Sequence, residues 1–176
     1  MIVTLTGPSG SGKTTVCRTL ASRARSQGLS VAGLLTTPRV SPAGLHGLDV
    51  VDLATGERVA LAERGARTDG PATGHWSFHR EGIEWGAGRL HGFGGADLLI
   101  VDELGPLELL RGEGWADAIG ALRAGRHRLA VAVVRPDLVE RLLALLEGHS
   151  SRQLVVGPGT RDTLPDAIIG MLAGGP

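Results

Sequence analysis

A glycine-rich segment near the start of the chain contains residues that can bind phosphate. It reads Gly7-Pro8-Ser9-Gly10-Ser11-Gly12-Lys13-Thr14-Thr15. This is the G-x-x-x-x-G-K-[ST] pattern of a P-loop, in which backbone N–H groups surround the phosphates of a nucleotide. Lys13 is the only lysine of the sequence, and every other basic residue is arginine. A compact ammonium fits beneath such a loop, whereas a planar guanidinium is too broad. The pattern therefore predicts that Lys13 bridges the β- and γ-phosphates and that the Thr14 hydroxyl binds Mg²⁺.

The residues on either side of the loop predict the two elements that a P-loop requires. Ile2–Thr6 is a short run of apolar and β-branched residues, which is typical of a strand. After the loop, Val16, Leu20 and Ala24 recur with helical spacing and a glycine follows, so we expect a helix over residues 14–27. An ordinary glycine-rich turn before a helix is the alternative. The order of strand, loop and helix favours a phosphate site at the helix N-terminus.

Two adjacent acids end another strongly apolar segment. It reads Leu98-Leu99-Ile100-Val101-Asp102-Glu103. Four apolar residues followed by two acids have the form of a Walker B strand when a P-loop precedes them. We predict that Asp102 holds Mg²⁺ through a water, and that Glu103 orients and deprotonates a water attacking the γ-phosphate. The alternative is that the two acids only mark the solvent end of a strand.

A further strand is expected between the P-loop strand and the Walker B strand. An Asp-Glu pair usually goes with such an inserted strand, and residues 129–134 are the best candidate. Its carboxyl end would lie at the γ-phosphate, because open α/β sheets bind ligands at this edge. Arg135 occupies that end and is a candidate sensor or arginine finger, or else a surface arginine before a helix. Glu108 either contacts the nucleotide or caps local structure.

The rest of the chain alternates between predicted strands and helices. A second strand is expected at residues 30–37, and a hairpin with strands 48–53 and 58–61 follows it. The later elements are a short strand at Trp76–Phe78, helices at 81–90, 115–122, 138–145 and 164–172, and a last strand at 153–156. This alternation predicts an α/β fold with a mostly parallel sheet and helices on both faces. We expect one domain over residues 1–176.

Composition excludes several classes of function. The formal net charge is +0 and the pI is about 7, whereas phosphate-backbone binding requires a basic surface, so we expect no nucleic-acid partner. No segment approaches the ~18 uninterrupted apolar residues of a membrane span, and the start of the chain does not resemble a secretory signal. The single cysteine, Cys17, is expected to be a buried packing residue and fits a reducing cytoplasm. The histidines show no convincing metal spacing.

Three stretches of the sequence resemble the small nucleoside-triphosphatases known from thermophiles and from a cancer-related human relative. The first is the P-loop. The second is the second strand with its hairpin, which reads Gly33-Leu34-Leu35-Thr36 and then Gly47-Leu48-Asp49-Val50-Val51-Asp52-Leu53. The third is the Walker B stretch, which reads Val101-Asp102-Glu103-Leu104-Gly105-Pro106-Leu107-Glu108-Leu109. The last is the most specific, because few other P-loop families follow the acidic pair with Gly-x-apolar-Glu. The resemblance covers nearly the whole chain.

The predicted elements correspond to a P-loop NTPase fold with a RecA-like strand order and a β-hairpin inserted after the second strand. The resemblance implies an activity. The activity is slow, Mg²⁺-dependent hydrolysis of ATP, GTP and other nucleoside triphosphates to the diphosphate and phosphate. A second nucleotide-contacting segment is also implied, made of Leu98, Leu99, Ile100, Val101, Asp102, Glu103, Leu104 and Gly105.

Two other functions use the same phosphate clamp. One is a small-molecule or nucleotide kinase. The other is a nucleotide-switched adaptor, similar to the P-loop protein of molybdopterin-guanine dinucleotide biosynthesis. Glu103 favours hydrolysis, because it places a base beside the expected water, and the sequence identifies no acceptor pocket. We expect a nucleoside triphosphate as substrate, no membrane, and a monomer or weak oligomer.

Overall fold

The computed structural model describes residues 1–174, and within them nine strands form one open sheet. The strands are β1 (Ile2–Thr6), β2 (Val31–Ser41), β3 (Gly44–Asp52), β4 (Arg58–Arg64), β5 (Ala72–Thr73), β6 (Trp76–Phe78), β7 (Ala96–Leu104), β8 (His127–Val134) and β9 (Ser151–Val155). Their order across the sheet is β5-β6-β4-β3-β2-β7-β8-β1-β9. The sheet therefore divides at β2 into a parallel half and an antiparallel half.

The parallel half contains β2, β7, β8, β1 and β9. Each neighbouring pair runs parallel, as in the register of Val3 with Val131 of β8, so all five carboxyl ends lie at one edge. β8 lies between β1 and β7, which confirms the strand expected at residues 129–134 and the RecA-like order. The buried strands β1, β7 and β8 consist mainly of nearly continuous apolar runs, as parallel strands covered on both faces do.

The antiparallel half follows β2 and contains β3, β4, β6 and β5. The hairpin expected between residues 48 and 61 is present as β3 and β4, but it is part of a longer meander. The sequence predicted that β2 ends at residue 37. In the structure β2 continues to Ser41 and turns directly into β3. β2 pairs with β7 only over its first four residues, through Leu34. Pro38 therefore lies where the strand has one neighbour, a position at which a sheet tolerates proline.

The helices cover both faces of the sheet, as predicted. They are α1 (Lys13–Ser26), α2 (Arg80–His91), α3 (Asp117–Arg123), α4 (Val139–Leu145) and α5 (Leu164–Ala173), with a π-helical segment at Leu107–Arg111 and a 3₁₀ turn at Pro136–Leu138. α1 and α5 share one buried cluster, and α2, α3 and α4 share the other. In α1 the buried residues include Val16, Leu20 and Ala24, the face that the spacing predicts. None of the helices in residues 1–174 combines the length and hydrophobicity needed to cross a bilayer.

Several details differ from the expected elements. Strand β7 continues through Asp102 and Glu103 to Leu104, so the two acids lie within the strand rather than after it. The π-helical segment and β5 were not expected at all, because neither has an apolar periodicity of its own. Trp115 precedes α3 instead of opening it, and is buried against Gly86 of α2.

Candidate functional site

The P-loop connects the carboxyl end of β1 to the start of α1. Lys13 is the first residue of α1 and only 8% exposed. Its ammonium turns back across the loop, where Nζ donates to the carbonyl oxygens of Gly7 at 2.9 Å and Pro8 at 3.1 Å. Gly12 adopts a left-handed conformation at the N-terminus of α1, with φ 97°. The lysine charge is thus fixed inside a loop of main-chain groups, at the positive end of a helix dipole.

Asp102 of β7 is the buried carboxylate of the site. It is 1% exposed, and its Oδ2 has no hydrogen-bond partner among the described residues. The pKa of Asp102 is raised to about 7, mainly by burial and also by the neighbouring Glu103 carboxylate. The Thr14 hydroxyl and the Lys13 ammonium act on this pKa in the opposite direction. The structure therefore brings together the carboxylate and the hydroxyl that the sequence assigned to a metal ion.

Other buried polar atoms near the P-loop also lack partners within the described part of the chain. They are the hydroxyl oxygens of Thr4 and Thr6 in β1 and of Ser11 in the loop. Nearly all buried polar atoms in folded proteins are hydrogen-bonded, so a group of exceptions at one place needs an explanation. Thr6, Ser11 and Asp102 lie at the carboxyl ends of β1 and β7, where polar ligand atoms would satisfy them. Three further buried atoms without a hydrogen-bond partner in the described residues, Arg39 Nε, Trp115 Nε1 and His127 Nδ1, lie elsewhere.

Glu103 lies beside Asp102 but differs from it in exposure. Its side chain is exposed at the sheet edge, whereas that of Asp102 is buried, and the peptide bond between them is cis. The remaining predicted contact residues of this strand, Leu98 to Val101, have fully buried side chains in the two apolar clusters. Their contribution can only be to position the residues from Asp102 to Gly105.

Glu108 acts as a local cap, which decides between the two roles that the sequence left open. Its carboxylate accepts hydrogen bonds from the backbone N–H groups of Gly105 at 2.9 Å and Trp115 at 3.2 Å. Gly114 is required beside it, because a Cβ there would lie 2.2 Å from Glu108 Oε1. Burial raises the pKa of Glu108, and the two backbone hydrogen bonds oppose that shift. The chain leaving β7 is thereby fixed at both ends of the π-helical segment.

Arg135 directly follows β8, at the edge where the sequence placed it. Its side chain is exposed and donates to Asp137 Oδ2 at 3.1 Å. A role as sensor or finger stays a prediction.

Arg161 is a residue of the site that the sequence reasoning missed. Its side chain lies against the P-loop, since a Cβ on Gly12 would be 2.6 Å from Arg161 Cδ. The sequence feature that could have indicated this residue is an arginine a few positions after β9, the strand that pairs with β1.

Comparison with known proteins agrees with this geometry. A family model described as NTPase matches residues 2–169. The chain belongs to this family. A relative from Methanopyrus kandleri, named nucleoside-triphosphatase THEP1, is 35% identical over 134 residues, which cover 75% of this chain and 72% of that protein. The family expected from the three sequence stretches is therefore confirmed.

Two solved structures show the same fold. The crystal structure of THEP1 from Aquifex aeolicus superposes with a TM-score of 0.73 at 17% identity, covering 98% of this chain and 99% of that one. The solution structure of a human cancer-related nucleoside triphosphatase gives a TM-score of 0.71 at 24% identity, covering 98% and 97%. These similarities confirm the P-loop NTPase fold class that the sequence predicted.

Proposed function

We propose that this protein hydrolyses nucleoside triphosphates, ATP and GTP among them, to the diphosphate and phosphate with the help of Mg²⁺. The observation that carries the proposal is the buried Asp102 carboxylate, unpartnered at Oδ2 within residues 1–174, next to the Thr14 hydroxyl and the Lys13 ammonium. Membership of the NTPase family and the THEP1 relatives support it.

Each residue at this edge has a distinct task in the proposed reaction. The backbone N–H groups of the P-loop and the ammonium of Lys13 bind the polyphosphate and hold it in one orientation. Lys13 exchanges its two loop carbonyl contacts for phosphate oxygens. The exposed carboxylate of Glu103 orients a water and accepts its proton as the water attacks the γ-phosphate. Arg135 is proposed to stabilise charge on the transferred group after leaving Asp137.

The residues present fit a magnesium ion. Hard oxygen donors suit Mg²⁺, and the Asp102 carboxylate and the Thr14 hydroxyl are such donors. The described residues contain no cluster of three or more acidic, histidine or cysteine side chains that could hold a metal without help. That agrees with an ion shared between the protein and substrate phosphates. When bound, Mg²⁺ would neutralise charge on the β- and γ-phosphates.

Several finer features belong to the same proposal. We propose that the chain works as one domain in the cytoplasm, as a monomer or weak oligomer, without a nucleic-acid partner. Its zero formal net charge and its buried free thiol at Cys17 support this.

A screen of phosphate release tests the proposal against the kinase alternative. Purified protein is incubated with Mg²⁺ and ATP, GTP, CTP or UTP, with and without candidate phosphoryl acceptors. Hydrolysis without acceptor supports the proposal, and Lys13→Ala supplies the background rate of the preparation. Diphosphate production that depends on an acceptor, with little release in its absence, would favour the kinase. Binding without turnover would favour the adaptor.

A further inference from the structure

The connection between β9 and α5, residues 156–163, lies along one side of the P-loop. It approaches the loop at two points. At the start of the loop, a Cβ on Gly7 would be 2.5 Å from the carbonyl oxygen of Val156. At the end, a Cβ on Gly12 would be 2.6 Å from Cδ and 3.3 Å from Cγ of Arg161. The aliphatic part of Arg161 therefore packs directly on the glycine that precedes Lys13.

Hydrogen bonds hold this connection in one conformation. The N–H of Val156 donates to Thr6 O at 2.7 Å and so joins the connection to the end of β1. The Thr160 hydroxyl donates to Val155 O at 2.8 Å and accepts from the N–H of Gly157 at 3.0 Å. The N–H of Arg161 donates to Gly157 O at 2.9 Å. Arg161 is therefore positioned over the loop by its backbone.

The charge of Arg161 remains available to a ligand. Its Nε pairs with Asp162 Oδ1 at 3.0 Å, but the two side chains are 49% and 77% exposed. Exposed ion pairs of this kind are weak and exchange readily with solvent. A guanidinium carries five N–H donors, and its fork matches the oxygens of a phosphate.

The sheet order fixes the direction from which Arg161 approaches. Glu103 belongs to β7, on one side of the P-loop strand, and Arg161 follows β9, on the other side. Because Glu103 is proposed to activate water at the γ-phosphate, that phosphate points towards β7. The polyphosphate then extends towards β9 with the nucleoside end nearest Arg161.

We infer that the guanidinium of Arg161 binds the polyphosphate of the nucleotide near its nucleoside end, opposite Glu103. This inference rests on the proposed function, because it requires a nucleotide in the P-loop. The phosphate at that end keeps its charge during γ-phosphate hydrolysis. Arg161 therefore binds the ground state and the transition state equally, which affects affinity rather than turnover. Since it reads phosphate and not base, the effect is the same for every nucleotide.

Two substitutions separate the charge of Arg161 from its packing. Arg161→Met keeps an aliphatic stem over Gly12 and removes the guanidinium, whereas Arg161→Ala removes both. Arg152→Met is the matched control, because Arg152 is exposed on β9 and its loss changes the net charge equally. Circular dichroism verifies that each variant is folded. Calorimetry measures the Kd for Mg²⁺ with ATP and with CTP, and phosphate release gives kcat and KM.

The expected result is weaker binding in both Arg161 variants. We expect Arg161→Met to raise the Kd for ATP and CTP alike by about tenfold or more, the effect of losing one charge-assisted hydrogen bond. We expect kcat to stay within about threefold of the unsubstituted protein, as the loss of uniform binding requires. Arg152→Met should bind both nucleotides normally.

The contradicting results are distinct from one another. Normal affinity in Arg161→Met overturns the inference, and a defect confined to Arg161→Ala assigns Arg161 a packing role instead. A loss for ATP without a loss for CTP overturns it in favour of contact with the base. If the unsubstituted protein binds nucleotide tightly but does not hydrolyse it, the proposed function is refuted. The Kd values of the Arg161 variants would still test the inference about Arg161. Failure of that protein to bind any nucleotide would refute both.

Discussion

Among the described residues, the parallel half of the sheet contains more buried polar atoms without a hydrogen bond than the antiparallel half, where such an atom is Arg39 Nε, which is ion-paired with Asp49. In the parallel half, Asp102 Oδ2 and the hydroxyls of Thr4, Thr6 and Ser11 have no hydrogen-bond partner within the described residues. In the antiparallel half, Asp52 is equally inaccessible at 5% exposure, yet it accepts from the N–H of Ala54 and pairs with an arginine of α2. Buried polar atoms that form hydrogen bonds within the protein contribute to the stability of the fold. A group of buried polar atoms without such bonds is a candidate binding site.

The topology explains why the site belongs to the parallel half. Parallel strands end at the same edge, so the P-loop, Asp102, Glu103 and the residues after β8 and β9 meet there. The antiparallel meander reverses direction at every turn, and its charged residues face one another across strands. Arg39 of β2, for example, pairs with Asp49 of β3 and Glu63 of β4. We therefore expect substitutions in the first half to change activity and those in the second to change stability.

Replacement of the P-loop lysine should have the largest effect. In Lys13→Ala the loop loses the only ammonium that can contact two phosphates, so nucleotide binding and phosphate release should both fall by about a thousandfold or more. Arg18→Ala, on the exposed face of α1, is the control and should retain both. Measurable turnover in purified Lys13→Ala would separate the P-loop from the activity.

Asp102→Asn should decrease activity and increase the stability of the ligand-free protein. In the unsubstituted protein the pKa of Asp102 is raised from 3.8 to about 7. Between these two pH values the folded state therefore binds more protons than the unfolded state. The destabilisation by Asp102 therefore grows as pH rises through this window. Asp102→Asn should unfold at a higher temperature than the unsubstituted protein at pH 7 and at a similar one near pH 4. Mg²⁺-dependent phosphate release should fall about a hundredfold. Equal melting temperatures at pH 7 would contradict this account of Asp102.

Glu108→Gln tests whether the cap positions Glu103. The two N–H groups donate to different carboxylate oxygens, and in Glu108→Gln one of these oxygens is replaced by an NH₂ group that cannot accept. We expect kcat to fall about tenfold, with KM unchanged because the P-loop holds the phosphates independently. Glu113→Gln, at an exposed ion pair just after the π-helical segment, should leave kcat unaltered. A rise in KM with constant kcat would instead assign Glu108 to nucleotide binding.

Arg39→Met should have the smallest effect on catalysis. It removes the partner whose hydrogen bond is the main cause of the lowered pKa of Glu63. A carboxyl group whose pKa is lowered in the folded state stabilises the protein at pH values above its unfolded-state pKa of 4.5. This stability is lost as pH falls through the folded-state pKa. We expect a loss of about 1 kcal/mol in the free energy of unfolding at pH 7 that becomes smaller as pH falls below 4.5, with normal kcat. A large loss of turnover would contradict the division of roles between the two halves.

The local patterns of the sequence predicted the parallel half well. The P-loop, the α1 face of Val16, Leu20 and Ala24, and the strand at residues 129–134 all depend on residues close together in the chain. Arg161 was missed because it depends on distant residues: it meets Gly12 only because β9 pairs with β1. The role of Glu108 was left open because it depends on how the chain folds back at Trp115. β2 was predicted too short, because its second half is stabilised by β3 rather than by its own composition.

Binding and turnover measured together on Glu103→Gln test most directly whether the exposed carboxylate at the end of β7 is the base. This substitution keeps the size of the side chain and removes its ability to accept a proton. Calorimetry with Mg²⁺ and ATP should give a Kd close to that of the unsubstituted protein, while phosphate release from the same sample falls by about a hundredfold or more. Glu103→Gln that binds ATP and hydrolyses it at an undiminished rate would show that the exposed carboxylate at the end of β7 is not the base.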